Sequence, residues 1–209
     1  MPNRFPPIRT VFFDMGNVLV RFSHEQMLRQ LAPLCNSTTS NLRHYLMDSG
    51  YLSAFERGEF TETQFIERLK SQFQCPLKAE DFRHAFSDIF SVTPGIVPLL
   101  EKTQKSNVQL ILLSNTSVTH LEFVERNFDV LNYMHARTTS FEAQACKPDA
   151  AIYRTALEMA GCAPEECFYT DDIADYIAAA GAHGIRGTQF IDSAQLEAEL
   201  HAVGILTSS

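Results

Sequence analysis

Hydrophobic positions in this chain follow two patterns that alternate along its length. Short unbroken apolar runs, rich in β-branched and aromatic residues, occupy 11–13, 109–113 and 167–170, with weaker ones near 134–137 and 187–190. Such runs predict strands buried on both faces. Between them apolar residues recur every third or fourth position, which predicts helices over about 96–105, 118–127, 173–183 and 194–203. Another helix is opened by Lys147-Pro148-Asp149, with the proline expected in its first turn, and closed by Gly161. Strands alternating with helices predict an α/β fold built on a doubly wound parallel sheet.

One long stretch breaks the alternation. Met27, Leu31 and Leu34 share a helical face, and Leu42, Tyr45 and Leu46 suggest a second, short helix. Phe65, Leu69 and Phe73 recur every fourth residue behind a Thr61-x-x-Gln64 capping box. Phe82, Phe86, Ile89 and Phe90 make a further stripe. No strand is expected between 23 and 90, and these aromatics read as the core of an inserted helical bundle. Thr93-Pro94-Gly95 marks the return. The predicted organisation is an α/β core over 1–20 and 93–209 with a helical domain over 21–92.

The polar residues of chemical interest fall where strands end or helices begin. Asp14 ends the first apolar run, and Gly16 and Asn17 let the backbone turn close to a ligand. The plainer reading of Asp14 is a turn cap. Ser114 ends the second run, Asp171 ends a later one, and Lys147 lies just ahead of a helix. In a parallel sheet these points converge on one edge. Two carboxylates, a lysine, a hydroxyl and helix N-termini suit a dianionic phosphate and a hard cation.

Composition narrows the partners. The 209 residues are 45% hydrophobic and 20% charged, an ordinary globular balance. A net charge of −8 opposes nucleic acid as a partner but leaves a small phosphorylated substrate open, since local fields can oppose the global sign. No apolar run approaches the ~20 residues of a membrane span. The opening MPNRFPPIRT carries no hydrophobic leader, so a cytoplasmic location and no membrane partner are expected. Five cysteines, an odd number without metal-type spacing, are read as reduced thiols, and the seven histidines form no zinc-type pair.

Four motifs, in order, resemble those of the haloacid dehalogenase-like hydrolase superfamily, most of whose members are phosphatases. FFDMGNVLV is similar to its nucleophile motif, LLSNT to the hydroxyl motif, CKPD to the lysine motif and FYTDDIADYI to the acidic motif. The inserted helices, including YLSAFERGEFTETQF with Glu56, Gly58 and Glu59, resemble the superfamily's helical cap. FDMGNVLV also resembles a branch that includes sugar-1-phosphate phosphatases. The resemblance implies a Rossmann-like core and hydrolysis of a small phosphorylated metabolite, such as a hexose 1-phosphate. Asp14 would form an aspartyl-phosphate, which splits one hard displacement into two easier ones. Mg²⁺ would be held by Asp14, the Gly16 carbonyl and Asp171, with Asp175 acting through a water. Ser114 and the amides near Asn115 would bind phosphoryl oxygens, alongside Gly16 and Asn17, and Lys147 would offset the gathered charge. Asp172 is read as a helix N-cap or a further acid.

One departure stands out. Many superfamily phosphatases carry an aspartate two positions after the nucleophile as general acid and base, where this chain has Gly16. Loss of such a group costs about 10²–10⁴ in rate. Three readings stay open: an acidic leaving group such as an anomeric sugar oxygen, a proton from another residue such as His24, or a weak catalyst that binds phosphorylated ligands. Dehalogenation at carbon needs no metal and is opposed by the Asp171–Asp175 pair. A flavodoxin-like nucleotide binder would want a G-x-G-x-x-G loop after the first strand, and none is present there. Hinges between the two domains are expected near 21–23 and 92–95.

Overall fold

A computed structural model describes residues 6–207 of the chain; the opening stretch read as lacking a leader begins outside them, at 1–5. Strand β1 (Thr10–Phe13) is buried at every position, as its unbroken apolar run predicts. After a short strand β2 (Val20–Phe22) the chain leaves the sheet for five helices. These are α1 (His24–Leu34), α2 (Thr39–Arg43) with a π-helical turn over His44–Asp48, α3 (Tyr51–Glu56), α4 (Glu62–Phe73) and α5 (Ala79–Ser87). Thr61 and Gln64 form the expected capping box ahead of α4. The insertion has its own core, in which Met27, Leu31, Leu42, Phe65, Leu69, Phe82 and Phe86 are completely buried.

Strand β3 (Phe90–Val92) returns the chain, followed by α6 (Ile96–Gln104), β4 (Gln109–Ser114) and α7 (Val118–Asn127). Strand β5 (Ala136–Thr139) runs into a short helix α8 (Ser140–Ala143), and α9 (Ala150–Ala160) follows. The chain ends with β6 (Cys167–Asp171), α10 (Ala174–Ala182), β7 (Arg186–Gln189) and α11 (Ser193–Ala202).

The five long-range strands form one parallel sheet in the order β5-β4-β1-β6-β7. Side chains alternate across it. Val11, Phe13, Leu110, Leu112 and Phe168 pack with α6, α7 and α11 on one face, while Phe12, Ile111, Leu113 and Tyr169 pack with α9 and α10 on the other. This is the predicted doubly wound α/β architecture. The connections reverse direction between β1 and β6, which opens a crevice beyond their C-terminal ends. Phe13 pairs with Thr170, so Asp14 and Asp171 follow side by side at that crevice.

Three local expectations are corrected. Strands β2 and β3 pair as an antiparallel ribbon at the borders of the stretch 23–90, Val20 with Val92 and Phe22 with Phe90, so that Phe90, expected to close a helical stripe, instead opens β3. Each is three residues long, too short for a periodic signal, and forms because both ends of the insertion meet. Strand β5 starts at Ala136, two residues later than expected, because a 3₁₀ turn over Asp129–Tyr133 carries the chain first. Pro148 lies ahead of α9 instead of within its first turn, because Asp149 is the N-cap and accepts from the Ala151 N–H at 2.9 Å. All five cysteines are free, and no helix among the described residues is long and apolar enough to cross a membrane.

Candidate active site

The crevice opens into a cavity of about 390 Å³ between the sheet edge and the helical insertion. Asp14, Gly16, Asn17, Asn115, Lys147 and Asp172 line it from the core, and Glu56 and Arg57 from the insertion. Lys147 is its electrostatic centre. Its Nζ donates to Asp14 Oδ1 at 2.7 Å, to Asp171 Oδ2 at 2.6 Å and to the Leu113 carbonyl at 3.1 Å. The lysine is 3% exposed and Asp171 completely buried, so neither charge could persist alone. Burial opposes the ammonium, but Asp14 and Asp171 outweigh it and hold the lysine above its ordinary range. Burial also pushes the Asp14 carboxyl up to about 6, against the pull of Lys147.

Asp171 is fixed from two further directions. The Ile173 N–H donates to its Oδ1 at 2.8 Å, and the Tyr169 hydroxyl donates to its Oδ2. Tyr169 and Asp171 share one face of β6 because strand positions repeat every second residue. That spacing is legible in the sequence FYTD.

Asp14, Asp171 and Asp172 each offer a carboxylate oxygen, and the three oxygens lie within 4.8 Å of one another. Asn17, held at φ 56°, donates its amide to Asp172 Oδ2 at 2.9 Å. Burial raises the Asp172 carboxyl, an effect that Asn17 opposes and Asp171 adds to. Three oxygen donors with excess negative charge match a hard divalent cation in chemistry and number. Asp175 stands apart from this group: it is exposed on the first turn of α10, outside the wall of this cavity. Nor is Asp172 the N-cap of α10, a position taken by Ile173.

The remaining expected residues divide. Asn115 reaches the cavity, but its side chain is engaged with Lys147: Nδ2 donates to the Lys147 carbonyl at 3.0 Å and Oδ1 accepts from the Lys147 N–H at 2.8 Å. Ser114 is buried, with its hydroxyl 3.5 Å from the Asn115 carbonyl, and it is Thr116 that lines the cavity. His24 lines the cavity with its ring edge-on to Phe22. Glu56, His120 and Tyr176 also face it; Glu56 and Tyr176 lie within the cap-like and acidic stretches, which did not single them out for the site, and no pattern marked His120.

Known proteins share this fold. A haloacid dehalogenase-like (HAD) family enzyme of Bacteroides thetaiotaomicron has a similar structure, with a TM-score of 0.81 at 21% identity over 90% of this chain and 96% of that one. Another structure of that enzyme holds magnesium and inorganic phosphate, with a TM-score of 0.75 at 21% identity over 89% of this chain and 96% of that one. A predicted HAD-like hydrolase of Porphyromonas gingivalis matches with a TM-score of 0.81 at 19% identity, over 95% of this chain and 99% of that one. Drimenol cyclase drtB of Aspergillus calidoustus is 21% identical over 92% of this chain, which spans 36% of that protein's length. The haloacid dehalogenase-like hydrolase family model matches residues 8–184, and the chain belongs to that family.

Proposed function

We propose that this hydrolase is a magnesium-dependent phosphomonoesterase that acts on a small phosphorylated metabolite through an aspartyl-phosphate. The observation that carries the reading is the group of three carboxylates around one buried lysine at the crevice. A nucleophile displacing halide from carbon has no use for a divalent metal ion beside it, whereas a phosphoryl dianion approaching Asp14 needs positive charge on every side. Asp14, Asp171 and Asp172 would hold Mg²⁺, with the Gly16 carbonyl as a further donor; a cation held there would supply positive charge for the phosphoryl oxygens.

The protein's own groups then divide the work. An Asp14 carboxylate oxygen attacks phosphorus, and the ester oxygen departs on the opposite side. Lys147, locked by Asn115, supplies a preorganised positive charge beside the attacking group. The backbone amide of Asn115, just past the end of β4, would bind a phosphoryl oxygen, while that of Thr116 is held by Ser140. Residues 21–92 serve as a cap that shuts the cavity from water, with its hinges at the β2–β3 ribbon. A hexose 1-phosphate suits the cavity size and has a comparatively acidic leaving oxygen.

The test is phosphate release from a panel of phosphorylated metabolites, with and without Mg²⁺, by wild type and Asp14→Asn. Release that needs the metal and disappears in the variant is expected. Release of halide from haloacids without metal, or no phosphate from any compound, would overturn the reading.

A further inference from the structure

Gly16 stands where a general acid would be expected two residues after the nucleophile, and the structure shows why no side chain is there. A Cβ at Gly16 would lie 2.8 Å from Cε1 of Phe22. The Phe22 ring is itself wedged between His24 and Phe90, with ring centroids 4.8 and 6.3 Å away. The space of the missing acid is filled by an aromatic ring, so a proton donor has to face the cavity from elsewhere.

Most titratable groups on the cavity wall are committed or mismatched. The His120 Nε2–H donates to the Phe86 carbonyl at 3.1 Å while its ring stacks on Phe86. Burial lowers that imidazole to about 3, so it stays neutral. Burial, then Arg43, also lowers His24. Burial raises the Cys146 thiol and the Tyr176 phenol, which makes both poorer donors of a proton. Asp172 belongs to the acidic group already described.

Glu56 is different. It is the last residue of α3, it lines the cavity with Asp14 and Lys147, and no hydrogen bond or ion pair among the described residues holds its carboxylate. Its backbone, in contrast, is pinned to the core. Ser140 Oγ donates to the Glu56 carbonyl at 2.5 Å and accepts from the Thr116 N–H at 3.0 Å. Two residues on, Gly58 adopts φ +72°, and a Cβ there would sit 3.0 Å from the Phe141 carbonyl oxygen. Only glycine permits that close passage of the insertion over α8. Burial raises the Glu56 carboxyl to about 7, a value suited to both giving and taking a proton near neutrality.

We propose that Glu56, delivered by the helical insertion, is the general acid and base of this site; the proposal rests on the phosphomonoesterase reading. In the first step an Asp14 oxygen bonds to phosphorus as the ester P–O bond breaks. The leaving oxygen keeps that electron pair and takes the Glu56 proton. In the second, the Glu56 carboxylate removes a proton from a water whose oxygen attacks phosphorus. The bond to Asp14 breaks, its electrons return to the carboxylate, and inorganic phosphate departs with Glu56 protonated again.

Glu56→Gln, compared with wild type on β-glycerol phosphate and p-nitrophenyl phosphate in the presence of Mg²⁺, tests this. The alkyl ester needs a proton on its leaving oxygen and the nitrophenyl ester does not. The variant is expected to lose about 10²–10⁴ in rate on β-glycerol phosphate. On p-nitrophenyl phosphate it should show a rapid burst of nitrophenolate matching the enzyme concentration, then slow turnover, because only the second step lacks its base. Wild-type turnover of β-glycerol phosphate by the variant would overturn the proposal, as would equal loss on both esters with no burst. A wild type that releases phosphate from neither ester nor from any compound of the metabolite panel would instead overturn the phosphomonoesterase reading.

Discussion

Asn115 grips Lys147 with both ends of its amide, donating to the Lys147 carbonyl at 3.0 Å and accepting from its N–H at 2.8 Å. The residue that follows β4 thereby fixes the backbone from which the ammonium reaches Asp14 and Asp171. Asn115→Ala strips two backbone groups of their partner and is expected to cost about 1–3 kcal/mol of stability, read by urea unfolding. Turnover should fall with it, since Lys147 loses its fixed starting point.

Lys147→Ala leaves Asp14 and Asp171 facing each other in a buried site with no cation between them. A loss of about 3–5 kcal/mol is expected at pH 8 in metal-free protein. Asp14 already titrates high, at about 6, and losing the lysine raises it further. The folded variant therefore takes up a proton that the unfolded chain does not, and the loss should shrink as the pH falls to 5. Unfolding curves at the two pH values check this; an equal loss at both would count against it.

The acidic group predicts unequal metal effects. Asp172→Asn should weaken Mg²⁺ binding by tenfold or more, and Asn17→Ala, which frees Asp172, by about 10-fold to 100-fold. Asp175→Asn, on the exposed turn of α10, should change it by less than about twofold. Calorimetric titration of metal-depleted protein separates the three.

Restoring an acid beside the nucleophile has a steric cost. Gly16→Asp forces its Cβ against Phe22 and is expected to destabilise by about 1–3 kcal/mol. Combining it with Phe22→Ala should cost less than the sum of the two single changes, because the smaller residue removes the clash. Additive losses in thermal unfolding would show that Phe22 is not what keeps position 16 bare.

Glu56 links stability to pH. Its carboxyl is raised to about 7 from an ordinary 4.5, chiefly by burial, so the folded state binds this proton more tightly than the unfolded chain. The contribution is full below about 4.5 and is lost as the pH rises through about 7. Glu56→Gln, which carries no titrating group, should be more stable than wild type by about 1–3 kcal/mol at pH 8.5. The difference should vanish at pH 4.5, measured without metal.

The sequence by itself determined the architecture. Unbroken apolar runs marked β1, β4 and β6, the Thr61–Gln64 box marked the start of α4, and the aromatic stripes marked an insertion with its own core. These signals are legible because burial and helical period are local properties of a chain. The meeting of Asp14 with Asp171 was also accessible, since parallel strands bring their C-terminal ends to one edge. Tertiary structure decided the rest. Whether Asp172 or Asp175 turns towards Asp14 depends on how the chain enters α10, a matter of a few backbone angles. The β2–β3 ribbon and the Glu56 carboxyl over the site each join residues distant in sequence, and the Phe22 ring meets Gly16 only through the turn between β1 and β2. No periodicity encodes such meetings, because they arise only when the insertion and the sheet edge pack against each other.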